Sequence, residues 1–166
     1  MDKLWSPWRS KYIESFAKGN SSTECIFCVA AEKKVEDPEN LLVKKGKLIF
    51  TLLNLYPYNN GHLMIVPFRH VSEFGKLTND EASEIMWELQ LAQSALTEIY
   101  KPHGFNIGVN LGRASGAGLD EHIHFHIVPR WIGDTNFMPV LGEVKVISQD
   151  LKDTKLKLLE AFKKLV

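Results

Sequence analysis

The run His122-Ile123-His124-Phe125-His126-Ile127-Val128 constrains this chain more than any other, because three of its six histidines alternate there with large apolar residues. Period-two alternation marks an extended strand with one buried face, since side chains at i, i+2 and i+4 point the same way. Such a strand sends Ile123, Phe125 and Ile127 into a core and lines its other side with three imidazoles. One strand histidine is usually a satisfied or surface ring, but three in alternation predict a site. The outer Cα atoms of the triplet stand roughly 13 Å apart at about 3.3 Å per residue, so two rings can share one metal ion more easily than three. The other use of imidazole is as a nucleophile whose neighbouring rings supply protons and orientation. In that use the middle residue, His124, attacks, with His122 and His126 beside it.

A half-buried strand needs partners and a covering layer, and the rest of the chain supplies both. Apolar runs at 41–45 and 47–54, on either side of Lys45-Gly46, predict a hairpin. Turn chemistry in Tyr56-Pro57-Tyr58-Asn59-Asn60-Gly61 precedes a third strand at 62–67. Residues 105–111 predict a fourth strand and 122–128, closed by Pro129, a fifth. Thr78 followed by Glu81 has the spacing of a helix capping box. Ala82, Ile85, Met86, Leu89, Ala92, Leu96 and Ile99 then recur at helical steps and predict a core-facing stripe that ends near Pro102-His103-Gly104. A last helix is expected over 151–165. The fold class expected is α+β: a mostly antiparallel five-stranded sheet, one long helix and a C-terminal helix, in one domain over 25–166. Residues 1–24, bearing Trp5, Trp8, Tyr12 and Phe16, read as an aromatic arm that packs on the domain or on a second subunit.

Twenty basic and twenty acidic residues cancel, so the chain lacks the field that drives binding to nucleic-acid polymers. No apolar run approaches the roughly 18 residues of a membrane span, and the first residues lack the apolar core of a signal peptide. A cytoplasmic protein with no membrane partner is expected. Upstream of the histidine run, Gly112, Gly116 and Gly118 allow close backbone approach, and Asn110, Arg113 and Ser115 add donors, a composition suited to a phosphate-bearing ligand.

Asn54, Asn60-Gly61-His62-Leu63-Met64-Ile65-Val66-Pro67, Asn110-Leu111-Gly112 and His122-Ile123-His124-Phe125-His126-Ile127-Val128-Pro129-Arg130 together resemble the histidine triad (HIT) family, over about residues 25–131. The resemblance implies a HIT-like fold and a nucleotidyl hydrolase or transferase that attacks an α-phosphate through a nucleotidyl-histidine intermediate. It implies that His124 is the nucleophile, that His126 donates to a phosphate or leaving-group oxygen, and that His62 accompanies the triad. By the same resemblance Asn54 contacts a ribose, and Asn110 contacts the nucleophile or phosphate. The flanks, from Trp5-Ser6-Pro7-Trp8-Arg9 to Gly133-Asp134-Thr135-Asn136-Phe137, resemble the bacterial diadenosine tetraphosphate phosphorylases within that family. There inorganic phosphate takes the nucleotide from histidine, giving ATP and ADP. Leu119-Asp120-Glu121 stands where the hydrolase branch usually has Gln, which counts against transfer to water. The alternatives are hydrolysis of dinucleoside polyphosphates or nucleoside phosphoramidates, and a catalytically silent nucleotide-binding module. The resemblance also implies a homodimer, and a magnesium ion accompanying a polyphosphate fits the same chemistry. Trp131 either stacks on an adenine or packs at a subunit boundary.

The two cysteines, Cys25 and Cys28, read as half of a zinc site, a redox pair or two small buried residues. A tetrahedral zinc needs two more ligands, and His70 and His122 are available. Some HIT and uridylyltransferase sequences resemble this set, which makes His122 structural and leaves His124 and His126 for chemistry.

Overall fold

The structure, a computed structural model, describes residues 24–115, 119–134, 147 and 149–165. The expected arm up to residue 23, together with Gly116 and Gly118, lies outside them. The helices are α1 (Ile26–Glu32), α2 (Asn79–Tyr100) and α3 (Leu151–Leu165). The strands are β1 (Leu42–Lys45), β2 (Ile49–Leu53), β3 (Leu63–Pro67), β4 (Gly104–Val109) and β5 (Phe125–Arg130). The strands form one sheet of order β1-β2-β3-β5-β4, antiparallel at each pairing. The α+β expectation is met.

Alternation decides which face each residue serves. Ile49 and Leu53 of β2, Leu63 and Ile65 of β3 and Ile127 of β5 join the core beneath α2 and α3. Phe50, Leu52, Met64 and Val66 point the other way, onto Phe27 of α1. β2 and β3 are therefore buried on both sides and are apolar throughout except for Thr51. Met64 stands opposite His126, which puts that histidine on the α1 face.

Two expectations need correction. First, β5 begins at Phe125 and runs through Pro129 to Arg130, so His122 and His124 lie ahead of the ladder. There the Ile123 amide donates to the Val71 carbonyl at 2.7 Å, docking the segment on the loop after β3. Alternation reports the buried face, not the hydrogen-bonding partner, and it survives the change: Ile123 and Ile127 are buried. Second, Ala82 is exposed and Met86 is 58% exposed, so both lie outside the core assigned to the stripe on α2. Glu88 is buried there instead, accepting from the Thr51 hydroxyl at 2.8 Å and from Lys44 at 2.6 Å. A charge at that depth is tolerated because both its oxygens are bonded.

The capping box is present: Glu81 N–H donates to the Thr78 hydroxyl at 3.1 Å and Thr78 N–H to the Glu81 carboxylate at 2.8 Å. Arg69 joins through two further bonds to the same carboxylate, of 3.0 and 2.7 Å. Arg69 first, then Thr78, push the Glu81 pKa down to about 2. A carboxylate whose folded pKa lies below its unfolded one stabilises the fold above the ordinary carboxylate range, and that stability disappears as pH falls toward 2. Glu81→Gln should therefore cost on the order of 2 kcal/mol near neutral pH. Urea midpoints of parent and variant should converge on acidification, and an unchanging gap would contradict this role.

Gly61, at φ +76°, turns the chain into β3 where a Cβ would stand 2.8 Å from Leu96 and 3.0 Å from Tyr100. That turn delivers His62 to the sheet. No helix among the described residues is long and apolar enough to cross a membrane.

Candidate active site and metal centre

α1 was not expected from the sequence, and it organises both halves of the site. Cys25 sits at its N-cap and Cys28 within its first turn, so the helix turns both thiols toward one point. Cys25 Sγ lies 3.3 Å and Cys28 Sγ 3.7 Å from His122 Nδ1, and Cys28 Sγ lies 3.4 Å from His70 Nδ1. The four ligand atoms are all within 4.8 Å of one another. Zn–S bonds near 2.3 Å and Zn–N bonds near 2.1 Å in a tetrahedron separate ligand atoms by roughly 3.4–3.8 Å, so these residues fit zinc. The second shell fits as well. His122 Nε2 lies 2.9 Å from the Pro67 carbonyl, which can only accept; the proton is therefore on Nε2 and the Nδ1 lone pair faces the thiols. Burial pushes the His122 pKa down and keeps that ring neutral, while burial and then the neighbouring Cys25 push the Cys28 thiol up. A bound cation reverses the second effect by taking the thiolate.

The same proton bookkeeping runs through the other rings. His124 Nδ1 is 2.9 Å from the His122 carbonyl, so Nδ1 carries the proton and Nε2 keeps its lone pair. Burial lowers the His124 pKa, which favours that neutral form. His62 Nδ1 accepts from the Tyr58 amide at 3.0 Å. Its proton is thus on Nε2, which donates to His126 Nδ1 at 2.9 Å. His126 then holds its own proton on Nε2. The result is one ring with a lone pair, His124, against a second ring with a proton to give, His126, their centroids 4.8 Å apart. That is a nucleophile and acid pair assembled without charge separation.

The sequence-predicted residues divide accordingly. Cys25, Cys28, His70 and His122 come together in one cluster, and His62, His124 and His126 in another. Asn54 belongs with the second: its Nδ2 lies 3.4 Å from His62 Nδ1 and its Oδ1 accepts from the Tyr56 amide at 2.9 Å. Asn110 follows β4, next to Val109, which pairs with Phe125. Gly112 adopts φ +71° and Ser115 donates its hydroxyl to the Gly112 carbonyl at 2.7 Å, so that hydroxyl closes a turn. Trp131 packs edge-on against Tyr100, centroids 6.5 Å apart.

Three contributors were not foreseen. Phe27 packs 4.9 Å from the His124 ring and 5.6 Å from His122, walling the two centres together. Tyr58 supplies the amide that fixes His62 and lays its ring 4.7 Å from that imidazole. Asp134 accepts from Arg130, Asn59 and the Trp131 amide.

Comparison with known proteins is consistent with this arrangement. Residues 34–131 match the HIT domain model. The chain is 46% identical over 158 residues to the AP-4-A phosphorylase of Mycobacterium tuberculosis, covering 93% of this chain and 81% of that protein. It is 32% identical over 84 residues to the bis(5'-adenosyl)-triphosphatase of Dictyostelium discoideum, covering 51% of this chain and 56% of that one. Among solved structures, a Zn-bound histidine triad family protein from Mycobacterium smegmatis superposes with TM-score 0.69 at 22% identity, over 87% of this chain and 97% of that one. A uridylyltransferase superposes with TM-score 0.69 at 18% identity, over 96% of this chain and 51% of that one. At such identities the structural likeness speaks for the fold alone.

Proposed function

We propose, from the premise that this chain belongs to the histidine triad (HIT) domain family, that it cleaves dinucleoside polyphosphates by nucleotidyl transfer through His124. The observation that carries the reading is the proton arrangement: His124 Nδ1 held on the His122 carbonyl at 2.9 Å and His62 Nε2 held on His126 at 2.9 Å. With diadenosine tetraphosphate, His124 Nε2 attacks an α-phosphorus and forms a P–N bond. The bond to the bridging oxygen breaks and ATP departs, taking the His126 Nε2 proton where its oxygen needs one. Inorganic phosphate then attacks the adenylyl-histidine, giving ADP and restoring the ring. In-line positioning and donors aimed at the equatorial oxygens supply most of the acceleration. Asn54, Asn110, Gly112, Ser115, Gly116 and Gly118 are the proposed nucleotide contacts, with Trp131 a candidate adenine platform.

Phosphate as the acceptor is supported by the AP-4-A phosphorylase relative, which is matched along most of its length. Transfer to water is the second reading, favoured by the bis(5'-adenosyl)-triphosphatase relative. Cys25, Cys28, His70 and His122 would hold a structural zinc, whose chemistry there is to fix His122. Any magnesium arrives with the polyphosphate. A homodimer belongs to the same proposal; β4 is a sheet edge with Ile107 half exposed.

Chromatography of products with and without inorganic phosphate tests the reading. ATP plus ADP, formed only with phosphate, is expected. AMP plus ATP without phosphate would move the chain to the hydrolases, and binding without turnover would make it a silent nucleotide module.

A further inference from the structure

The donor state of His126 rests on what donates to His62 Nδ1: the Tyr58 backbone amide at 3.0 Å and, at a longer 3.4 Å, Asn54 Nδ2. Tyr58 N–H, at 3.0 Å from His62 Nδ1, forbids a proton on that nitrogen and so directs the other ring nitrogen to donate to His126. Tyr58 lies in the connection between β2 and β3, where local turn bonds, such as Tyr56 N–H to Asn54 Oδ1 at 2.9 Å, shape the chain. Its ring meets that of His126 on β5 at 6.0 Å, and the hydrogen-bonded tie to β5 comes from Asn59. Its amide donates to the Pro129 carbonyl at 3.1 Å and to Asp134 Oδ2 at 2.9 Å. Asp134 is itself held: Arg130 Nε at 2.7 Å, a second Arg130 nitrogen at 2.8 Å and the Trp131 amide at 3.0 Å all donate to it. Its side chain is 9% exposed. A carboxylate gripped in this way is a rigid anchor, and the residue it anchors is the immediate neighbour of Tyr58.

We propose that Asp134 and Asn59 form a clamp that positions the Tyr58 amide and thereby keeps the proton of His126 on Nε2, where the leaving group can take it. Neither residue touches substrate in this proposal; both are positioning residues acting through Tyr58 and His62. The inference rests on the nucleotidyl-transfer reading for its consequence but not for its geometry. With the Tyr58 amide displaced, His62 Nδ1 keeps the longer 3.4 Å contact from Asn54 Nδ2, a weaker hold that admits the other tautomer, and His126 then spends part of its time with the proton on Nδ1, turned away from the leaving group.

Asn59→Ala is the clean test, because it leaves the Arg130–Asp134 pair in place. Two readouts separate a clamp from ordinary structural support. Long-range nitrogen–proton spectra of histidine-labelled full-length protein should show His62 and His126 protonated at Nε2 in the parent and mixed tautomers in the variant. The second compares two adenosine 5'-phosphoryl substrates. An alkylamine phosphoramidate requires a proton on its leaving group, whereas a p-nitrophenyl ester does not. The variant should lose about tenfold or more in kcat on the amine and less than about twofold on the ester. Asp134→Asn, which keeps the shape and removes the charge, should shift both readouts in the same direction and serves if Asn59→Ala fails to fold. Equal losses on both substrates, or unaltered spectra, would overturn the clamp. A parent that turns over neither substrate would contradict nucleotidyl transfer instead, and the spectra would then decide the clamp alone.

Discussion

Replacing His124 by alanine should lower turnover of diadenosine tetraphosphate by about three orders of magnitude or more while leaving the chain folded. The loss is large because the ring holds a lone pair, directed away from its backbone anchor, beside the ring of His126. Its Nδ1 proton is committed to the His122 carbonyl, and burial opposes the protonated form that would block attack. Stability should change little by comparison. The variant loses one hydrogen bond, worth about 1 kcal/mol net, and leaves the His122 carbonyl to find another donor. Part of the packing against Phe27 also goes. His124→Gly with added imidazole makes the test sharper, since free imidazole can enter the vacated space and carry the nucleotide. Rescue by imidazole in the glycine variant, with none in His126→Gly, is the expected pattern. Unchanged turnover in His124→Ala would contradict the assignment outright.

The second large effect is expected from the metal centre. Removal of zinc by a strong chelator, or Cys28→Ala, should destabilise the protein by on the order of 3 kcal/mol and lower its thermal midpoint. The cluster joins α1 to the loop after β3 and to the segment ahead of β5, three pieces that share no strand pairing among the described residues. It also lies one residue's length from the nucleophile, because the His122 ring faces the thiols while its carbonyl holds His124. Chelation should accordingly cost activity, by about tenfold, at temperatures where the chain is still folded. Metal content and thermal midpoint are read together with rate. Purified protein holding less than about one-tenth equivalent of zinc, with no response to chelator, would contradict a structural zinc.

Much of this site could be read from the sequence, and the reasons are local. Strict alternation from His122 to Ile127 needs no partner to be recognised, and Thr78 with Glu81 announces a helix start within four residues. The cysteine pair and His70 likewise carry their chemistry in residue type. What escaped depends on distant partners. The α1 segment, Ile-Phe-Cys-Val-Ala-Ala-Glu, is too short and too evenly apolar for a helical period to stand out, so Phe27 could not be placed against His124. Glu88 is buried where no carboxylate was expected because Thr51 and Lys44, far away in sequence, bond it. The reach of β5 past Pro129 is set by β4, whose Phe105 pairs with that proline. Asp134 shows its role only through Asn59, 75 positions away.

The central claim is a covalent nucleotidyl-His124, and the most direct measurement is intact mass spectrometry of the full chain. The protein is mixed with diadenosine tetraphosphate in phosphate-free buffer and kept alkaline, so that an acid-labile P–N bond survives. A mass increase of one adenylyl group per chain is expected, mapping to the peptide that contains His124 and discharged as ADP when phosphate is added. Product accumulating while the protein mass stays unchanged, or an adduct on any other residue, would contradict it.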